Sequence, residues 1–516
     1  MAHRHCWTVR RLNKIILTTI NAKWIHPSLA LRLLKANLGS LEPCCEIIEF
    51  ALRQPLAEKT EPLLAALARE DDSSQAYGAR IPGSVRILGV SVSIWNHATT
   101  IELLRELQKN WKHETRPVVV LGGPEVSHLP PGAEIFRYAD HVIRGEGETA
   151  FRVLCEKILQ SKNNPGEIKS AYHLYTDEDV KKKLIYVESS RGCPFKCEFC
   201  LSAIDSAVHE FPLEKFLAEM DILIQRGVKT FKFLDRSFNV NIKRALRIIE
   251  FFLSKIEQIS SSSSASSAPF VVHFEMVPSL FPPELREALA RFPPGTLRLE
   301  IGIQTLNPGV AARIGRTSSP EKELAALRFL RDKTNAVIHA DLIAGLPGED
   351  LDSFGKGFDR LWLALYETET PPEAEHRRVE IQLGILKLLP GAPIRRHNEE
   401  FGMRYNSAPP YEVEETSAIS AAGIQRVKNF ARFWELLVNR NKHAHADSLN
   451  PLFNSLRASV SRRDTLSPCD VSSNNSIFEK FMLLSDTLLA HFGRNWGIDR
   501  NELREFCKNL DFMKTL

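Results

Sequence analysis

Three cysteines, Cys193, Cys197 and Cys200, stand at spacing C-x3-C-x2-C directly after a short apolar, partly β-branched run, Lys183-Leu-Ile-Tyr-Val-Glu188. That run reads as a buried strand. A strand that ends by delivering three thiols into one loop is not a packing device. Thiolates are soft ligands that suit iron–sulfur clusters, zinc or copper(I). A disulfide would use two of the three and leave one over. Structural zinc normally takes two C-x2-C pairs, or one pair with two histidines. Only Cys197 and Cys200 form such a pair here, and no second pair follows. A [4Fe–4S] cluster fits better, with three irons held by thiolates and the fourth left for a ligand that is not a protein thiol.

This loop, Arg191-Gly-Cys-Pro-Phe-Lys-Cys-Glu-Phe-Cys200, resembles the signature of radical S-adenosylmethionine (SAM) enzymes. The resemblance implies that the fourth iron chelates the amino and carboxyl groups of SAM, and that one electron from the cluster cleaves SAM to a 5′-deoxyadenosyl radical. Phe199 matches the aromatic position before the third cysteine, whose backbone in the family meets the adenine.

With 516 residues the chain has room for two to four domains. A net charge of +4 is small against 67 basic and 63 acidic residues, and no basic stripe interleaved with aromatics suggests a nucleic-acid partner. No run of 18 apolar residues suggests a membrane span. Residues 1–13, with His5 and Cys6, read as a basic leader without the apolar region of a signal peptide. The expected setting is reducing and cytoplasmic.

From Lys14 a β/α rhythm begins. Strands are expected at Lys14–Ile20, Cys45–Ala51, Arg86–Ile94, Pro117–Leu121 and Asp140–Ile143. Helices are expected at Pro27–Leu38, Pro55–Arg69, His97–Asn110, Pro131–Tyr138 and Thr149–Gln160. This predicts a doubly wound, Rossmann/flavodoxin-like parallel sheet over 14–160, with ligands at the carboxyl ends of its strands. Those ends carry Asn21, then Ser91, Ser93, Trp95 and Asn96. They continue with the turns Gly122-Gly123-Pro124-Glu125 and Gly145-Glu146-Gly147-Glu148. Taken alone, the glycine turns serve equally as tight βα connections. Placed before the cysteine loop, they resemble the cobalamin-binding domain of cobalamin-dependent radical SAM enzymes. The resemblance implies that these thirteen residues contact cobalamin. The D-x-H-x-x-G motif that supplies a lower histidine ligand is absent, and His26 does not match its spacing, so the implied cobalamin is base-off, with Trp95 or Asn96 beneath the cobalt.

Residues 161–182 read as a polar linker with a small hairpin, and Lys181, Lys182 and Lys183 as a solvated turn. A second β/α series covers 183–401. Its strands lie near Leu184–Glu188, Thr230–Leu234, Phe270–Glu275, Leu297–Ile303, Ala336–Ala344 and Val379–Leu386. Six strands predict a partial (β/α)6 TIM-type barrel, with its chemistry at the strand carboxyl ends. There the resemblance implies SAM contacts from Asp235, Glu300, Gln304, Arg316 and Gly345, besides Phe199. Glu300 and Gln304 lie four apart and so share a strand face. Ser260–Ser267 reads as a flexible surface insertion. Residues 402–516 read as an α-helical cap over the barrel mouth, and Cys44, Cys45, Cys155, Cys469 and Cys507 as ordinary cysteines.

The implied activity is methylation of an unactivated carbon, using a [4Fe–4S] cluster, SAM and cobalamin. It further implies a small-molecule or peptide substrate and an electron donor of flavodoxin or ferredoxin type. Cyclisation or ring contraction with the same cofactors, methylthiotransfer, and a non-enzymatic iron–sulfur sensor or electron carrier are the other readings.

Overall fold

The computed structural model describes residues 14–68, 85–111, 116–160, 167–204, 207–262, 268–366, 379–440 and 476–508. His5 and Cys6 of the leader, Cys469, residues 161–166 of the linker and 263–267 of the serine-rich stretch lie outside the described residues.

Strands β1 (Lys14–Asn21), β2 (Cys45–Ala51), β3 (Arg86–Ser91), β4 (Val118–Gly122) and β5 (His141–Val142) make one parallel sheet. Their order, β2–β1–β3–β4–β5, is that of a flavodoxin-like sheet. Helices α1 (Leu29–Ala36), α2 (Leu56–Ala68), α3 (His97–Asn110), α4 (Pro124–His128) and α5 (Glu148–Ile158) connect them. A sheet covered on both faces needs strands apolar on both sides. Ile15 and Leu17 of β1 accordingly pack with Leu31 of α1 and Phe151 of α5, while Ile16 and Ile20 pack with Leu63 of α2 and Leu103 of α3. Two expectations are corrected. Pro131–Tyr138 forms only a 3-10 turn over Glu134–Tyr138, and the Gly-Gly-Pro turn continues into α4 because Pro124 suits a first helical position.

The described part of the linker holds no hairpin. It forms α6 (Asp177–Lys182), capped by Thr176, with acids in its first turn and lysines in its last, the distribution its dipole favours. Lys183 pairs with Asp179 at 2.9 Å and lies over the Trp24 ring, so the lysine run is not simply solvated.

The barrel strands are β6 (Ile185–Val187), β9 (Thr230–Phe233), β10 (Val271–Met276), β11 (Leu297–Gln304), β12 (Val337–Ala344) and β13 (Val379–Ile385). They pair in that order, all parallel, with β6 and β13 as the two free ends of an open barrel. Between β6 and β9 the short antiparallel pair β7 (Ser190–Arg191) and β8 (His209–Glu210) closes the base of the cysteine loop. Helices α7 (Leu213–Gln225), α8 (Ile242–Ser262), α9 (Pro283–Ala290), α10 (Pro308–Arg313), α11 (Pro320–Lys333) and α12 (Leu351–Tyr366) complete the series. Alternation decides the two faces. Phe231, Phe233, Phe274, Leu299, Ile301 and Ile338 are buried in one continuous core with the helices. The intervening residues face inward.

The expected cap begins with a ribbon, β14 (Arg404–Tyr405) against β15 (Val413–Glu415), before α13 (Ala421–Trp434) and its π-helical end Glu435–Asn439. Asn439 donates to the Ile381 carbonyl at 3.0 Å, near the start of β13, while Ile424 at the other end of α13 sits beside Gly345, after β12. This helix therefore runs back along the last strand as a further barrel helix, not across the mouth. The rhythm hides it because a long connection intervenes. Helices α14 (Ile477–Phe492) and α15 (Arg500–Lys508) stack outside it: Phe430 and Trp434 pack edge-on to Phe358 of α12 and Phe481 of α14. No helix among the described residues is long and apolar enough to cross a membrane.

Candidate active site

Gly192, at φ 96°, opens the cysteine loop; any Cβ there would overlap the Ala207 carbonyl, so glycine is required where the two limbs of the loop meet. Cys193, Cys197 and Cys200 are all free and half-buried. The loop is held from beneath by Glu198, a residue that motif reading passed over. Its buried carboxylate accepts from Arg396 Nε at 2.9 Å and meets His397 Nε2 at 3.0 Å, and its backbone bonds Ile314 and Ile394, each at 3.0 Å. Phe199 packs on the apolar group of Ile314, Leu346, Leu386 and Ile394. Burial pushes the Cys197 thiol up, and the Arg316 guanidinium beside it pulls the other way. Among the described residues no three His, Cys, Asp or Glu side chains stand close enough to hold a single metal ion. A cube of four irons spreads its thiolates wider than one ion does, and three soft, half-buried thiols on one loop fit that donor set.

At the strand ends around this loop the expected SAM residues separate into two groups. Arg316 donates to the Gly302 carbonyl and leaves its Nε buried without a partner. Gln304 ends β11 at φ 69°, an uncommon conformation for a side-chain-bearing residue, and its amide fills the space a Cβ on Gly302 would occupy. Gly345, at φ 84°, lies where a Cβ would meet Val413 Cγ1 at 2.5 Å. Asp341 was not anticipated. It sits opposite Gly302 in the register, and its Oδ1 is buried without a hydrogen-bond partner. Orphaned donors and acceptors of this kind fit a polar, hydroxyl- and carboxylate-bearing ligand. The other group is engaged by protein. Asp235, fully buried, accepts from Ser189 N at 2.9 Å, Ser189 Oγ at 2.6 Å and Ser190 Oγ at 2.7 Å, and burial raises its pKa. It ties β9 to the base of the cysteine loop.

Glu300 belongs to a polar layer inside the barrel that periodic reading of single strands did not assemble. Lys232 reaches across β10 to Glu300 at 3.1 Å, and His273 Nε2 lies 3.4 Å from the same carboxylate. The His273 contact, with Lys232 beside it, holds Glu300 down to about 2. His339 follows, bonded to Gln382 at 3.1 Å. Burial lowers the His339 pKa from 6.5 to about 4, with His273 adding to it. The neutral ring therefore contributes stability that is present above pH 6.5 and lost as pH falls through about 4. Denaturant midpoints measured across that interval are expected to fall for the wild type and to fall less for His339→Gln. Equal slopes would show that the ring carries no such coupling.

The carboxyl ends of the first sheet turn toward the barrel mouth. Arg191, two residues before Cys193, takes three carboxylates: Glu188 at 2.8 Å, Glu148 at 3.0 Å and Glu146 at 3.2 Å. Burial works against its charge, and the Glu188 and Glu148 carboxylates more than reverse that. The Gly145–Glu148 turn is thus latched onto the cysteine loop. The Gly122–Glu125 turn is anchored differently, through buried Glu125, which meets His97 Nδ1 at 2.7 Å and Tyr411 OH at 2.5 Å. Gly145, at φ 73°, has open space where a Cβ would stand, and Trp95, 51% exposed, is pinned by its Nε1 to the Ile20 carbonyl at 3.2 Å. An open glycine turn after β5 and an exposed indole after β3 lie on the same carboxyl edge of the sheet and leave room there for a broad planar ligand. The remaining expected contacts are corrected or spent. Asn96 is fully buried, with its amide bonded to Ile20 O, Thr19 Oγ1 and Ser93 N, so it does not face a ligand. Ser93 is buried with it, Ser91 accepts from Thr19 Oγ1, and Asn21 bonds Glu49 at 3.0 Å. His26 bonds Tyr186 of β6 at 2.8 Å.

Residues 187–361 match the family model of the Radical SAM superfamily. The chain is 25% identical over 302 residues to an uncharacterized methyltransferase of Pyrococcus horikoshii, covering 52% of this chain and 61% of that protein. It spans about two-fifths to three-fifths of the length of the curated relatives it matches. Its fold is similar to the radical SAM methyltransferase TsrM of Kitasatospora setae, solved with cobalamin and a [4Fe–4S] cluster (TM-score 0.53, 16% identity, 79% of each chain). It is also similar to OxsB, a cobalamin-dependent SAM radical enzyme solved with aqua-cobalamin and SAM (TM-score 0.58, 15% identity, 96% of this chain and 77% of that one). Residues 187–361, with their three-cysteine loop at the mouth of an open six-stranded barrel, thus form a region of the Radical SAM superfamily, a match that implies a [4Fe–4S] cluster and SAM.

Proposed function

We propose that the chain is a cobalamin-dependent radical SAM methyltransferase acting on an unactivated carbon. One observation carries the cobalamin part: Arg191, at the root of the cysteine loop, is gripped by Glu146 and Glu148 of the first domain, so a ligand on that domain's open turns faces the cluster. When bound, the cluster and SAM supply a carbon-centred radical, and cobalamin supplies a methyl group.

Each part of the chain has a task in that scheme. Cys193, Cys197 and Cys200 hold three irons. Glu198 keeps their loop rigid by its bonds to Arg396 and His397. Arg316 offers its unpartnered Nε to a carboxylate, Asp341 and Gln304 offer acceptors to hydroxyls, and Phe199 and Gly345 flank the adenine. Trp95 and the Gly122–Glu125 and Gly145–Glu148 turns hold cobalamin. Of the two candidates for a lower ligand, His26 is spent on Tyr186 and Asn96 is buried, so neither would be free to hold the group from below. Substrate reaches the mouth beside the polar lumen, and a flavodoxin- or ferredoxin-type donor supplies the electron. Methylthiotransfer is disfavoured by where the first-domain cysteines lie: Cys45 opens β2 and Cys155 sits in α5, both buried in the domain core and neither in a loop at a strand's carboxyl end.

The test is anaerobic loading with hydroxocobalamin, reduction, and electron paramagnetic resonance of the bound cob(II)alamin. One corrinoid per chain with no nitrogen splitting from a lower ligand is expected. A nitrogen-split signal would place a histidine under the cobalt, and no retained corrinoid would remove cobalamin from the reading.

A further inference from the structure

Tyr411 and Val413 stand two residues apart on one short segment, yet they touch the turns assigned above to different cofactors. The Tyr411 hydroxyl donates to Glu125, in the turn that follows β4 of the first domain. The Val413 side chain is packed on Gly345, in the turn that follows β12 of the barrel. The segment is fixed between them. Leu388 N donates to Tyr411 O at 2.9 Å, Val413 N to Leu386 O at 2.8 Å, and Leu386 N to Ala344 O at 3.0 Å. Close by, Gly391 lies against the His128 ring at the end of α4.

Three features make the Tyr411 contact more than a surface brace. Glu125 is almost fully buried, so its carboxylate depends on the two groups that meet it, Tyr411 OH and His97. A phenol donating to a carboxylate at 2.5 Å is a charge-assisted bond, stronger and more directional than a neutral one. Tyr411 also holds φ 57°, a conformation a bulky residue keeps only where its surroundings over-determine it. Further links between the two domains, among them His26 with Tyr186, Leu184 N with the Ile25 carbonyl and Arg191 with Glu146 and Glu148, hold them elsewhere.

We propose that Tyr411 is a positioning residue that registers the cobalamin turn Gly122–Glu125 against the SAM turn at Gly345, and so sets the gap between the two cofactors. The proposal rests on the cobalamin reading above. Within the wild-type chain the gap is then single-valued, because one short, hydrogen-bonded segment spans it.

The experiment uses the full chain loaded with cluster and cobalamin and reduced, and reads the magnetic coupling between cob(II)alamin and the reduced cluster. Tyr411→Phe removes one hydroxyl and leaves the ring, the other domain links and the barrel intact. It is expected to retain iron and corrinoid as the wild type does, while the single coupling of the wild type is lost to a spread of values. Arg404→Ala, in the same ribbon but paired only with Glu415 at the surface, is the control and should keep the wild-type coupling. A Tyr411→Phe coupling identical to wild type overturns the proposal alone, and so does an equal change in Arg404→Ala. A wild type that retains no corrinoid overturns the cobalamin reading and the proposal with it.

Discussion

Replacing Cys193, Cys197 or Cys200 by alanine is expected to reduce bound iron from about four per chain to near zero after anaerobic reconstitution. SAM cleavage should fall to background in each case. The effect should be this large for each cysteine singly, because two thiolates do not retain a cluster whose fourth iron is reserved for SAM. The fold should survive. All three thiols are half-buried and none is a core residue, while the loop's backbone is held independently through Glu198, Ile314 and Ile394. Compared as apo-proteins, the variants should lie within about 0.5 kcal/mol of wild type, as for substitutions outside the core. Iron and sulfide analysis with circular dichroism checks both halves. A single variant that keeps a full cluster and cleaves SAM would contradict the assignment of that cysteine.

Phe430→Ala carries the largest expected loss of stability. The ring is fully buried, lies 4.8 Å from the Phe481 ring and 5.2 Å from Phe358, and stacks parallel to Trp434. Removing so large a core side chain costs about 3–5 kcal/mol. Its location decides what unfolds. Because α13 lies along β13 and packs on α12, the loss should appear as destabilisation of the barrel as a whole, in one transition with α14. Leu483→Ala on the exposed side of α14 should change stability by no more than about 0.5 kcal/mol. Denaturant unfolding followed by circular dichroism, with proteolysis of the barrel as a second probe, separates the cases. If Phe430→Ala released only the carboxyl-terminal helices and left the barrel's transition unchanged, α13 would be an independent cap after all.

What could be read in the chain beforehand was what local chemistry writes locally. Cys45–Ala51 and His97–Asn110 fall where apolar period and turn residues put them. The cysteine spacing and the strand before it named the superfamily of the barrel. Partnership over long distances was not legible. Glu125 looked like the last letter of a glycine turn, and its phenol partner lies 286 residues further on. Glu300, Asp235 and Asn96 resembled ligand contacts by position, and only the neighbouring strands show that Lys232, Ser189 and Ile20 already occupy them. Asp341 was passed over for the converse reason, since an unpartnered atom is visible only once the partners of its neighbours are known. The alternation of Lys232, His273, Glu300, His339 and Gln382 on successive strands did carry a signal: polar residues on every second position of otherwise apolar strands mean a polar lumen.

The most direct test of the central claim is to reconstitute the chain anaerobically, supply SAM and a strong reductant, and quantify 5′-deoxyadenosine alongside bound iron and corrinoid. 5′-Deoxyadenosine in excess of protein is expected from a preparation that carries one [4Fe–4S] cluster and one cobalamin per chain. Loaded protein that binds both groups yet forms no 5′-deoxyadenosine would contradict it.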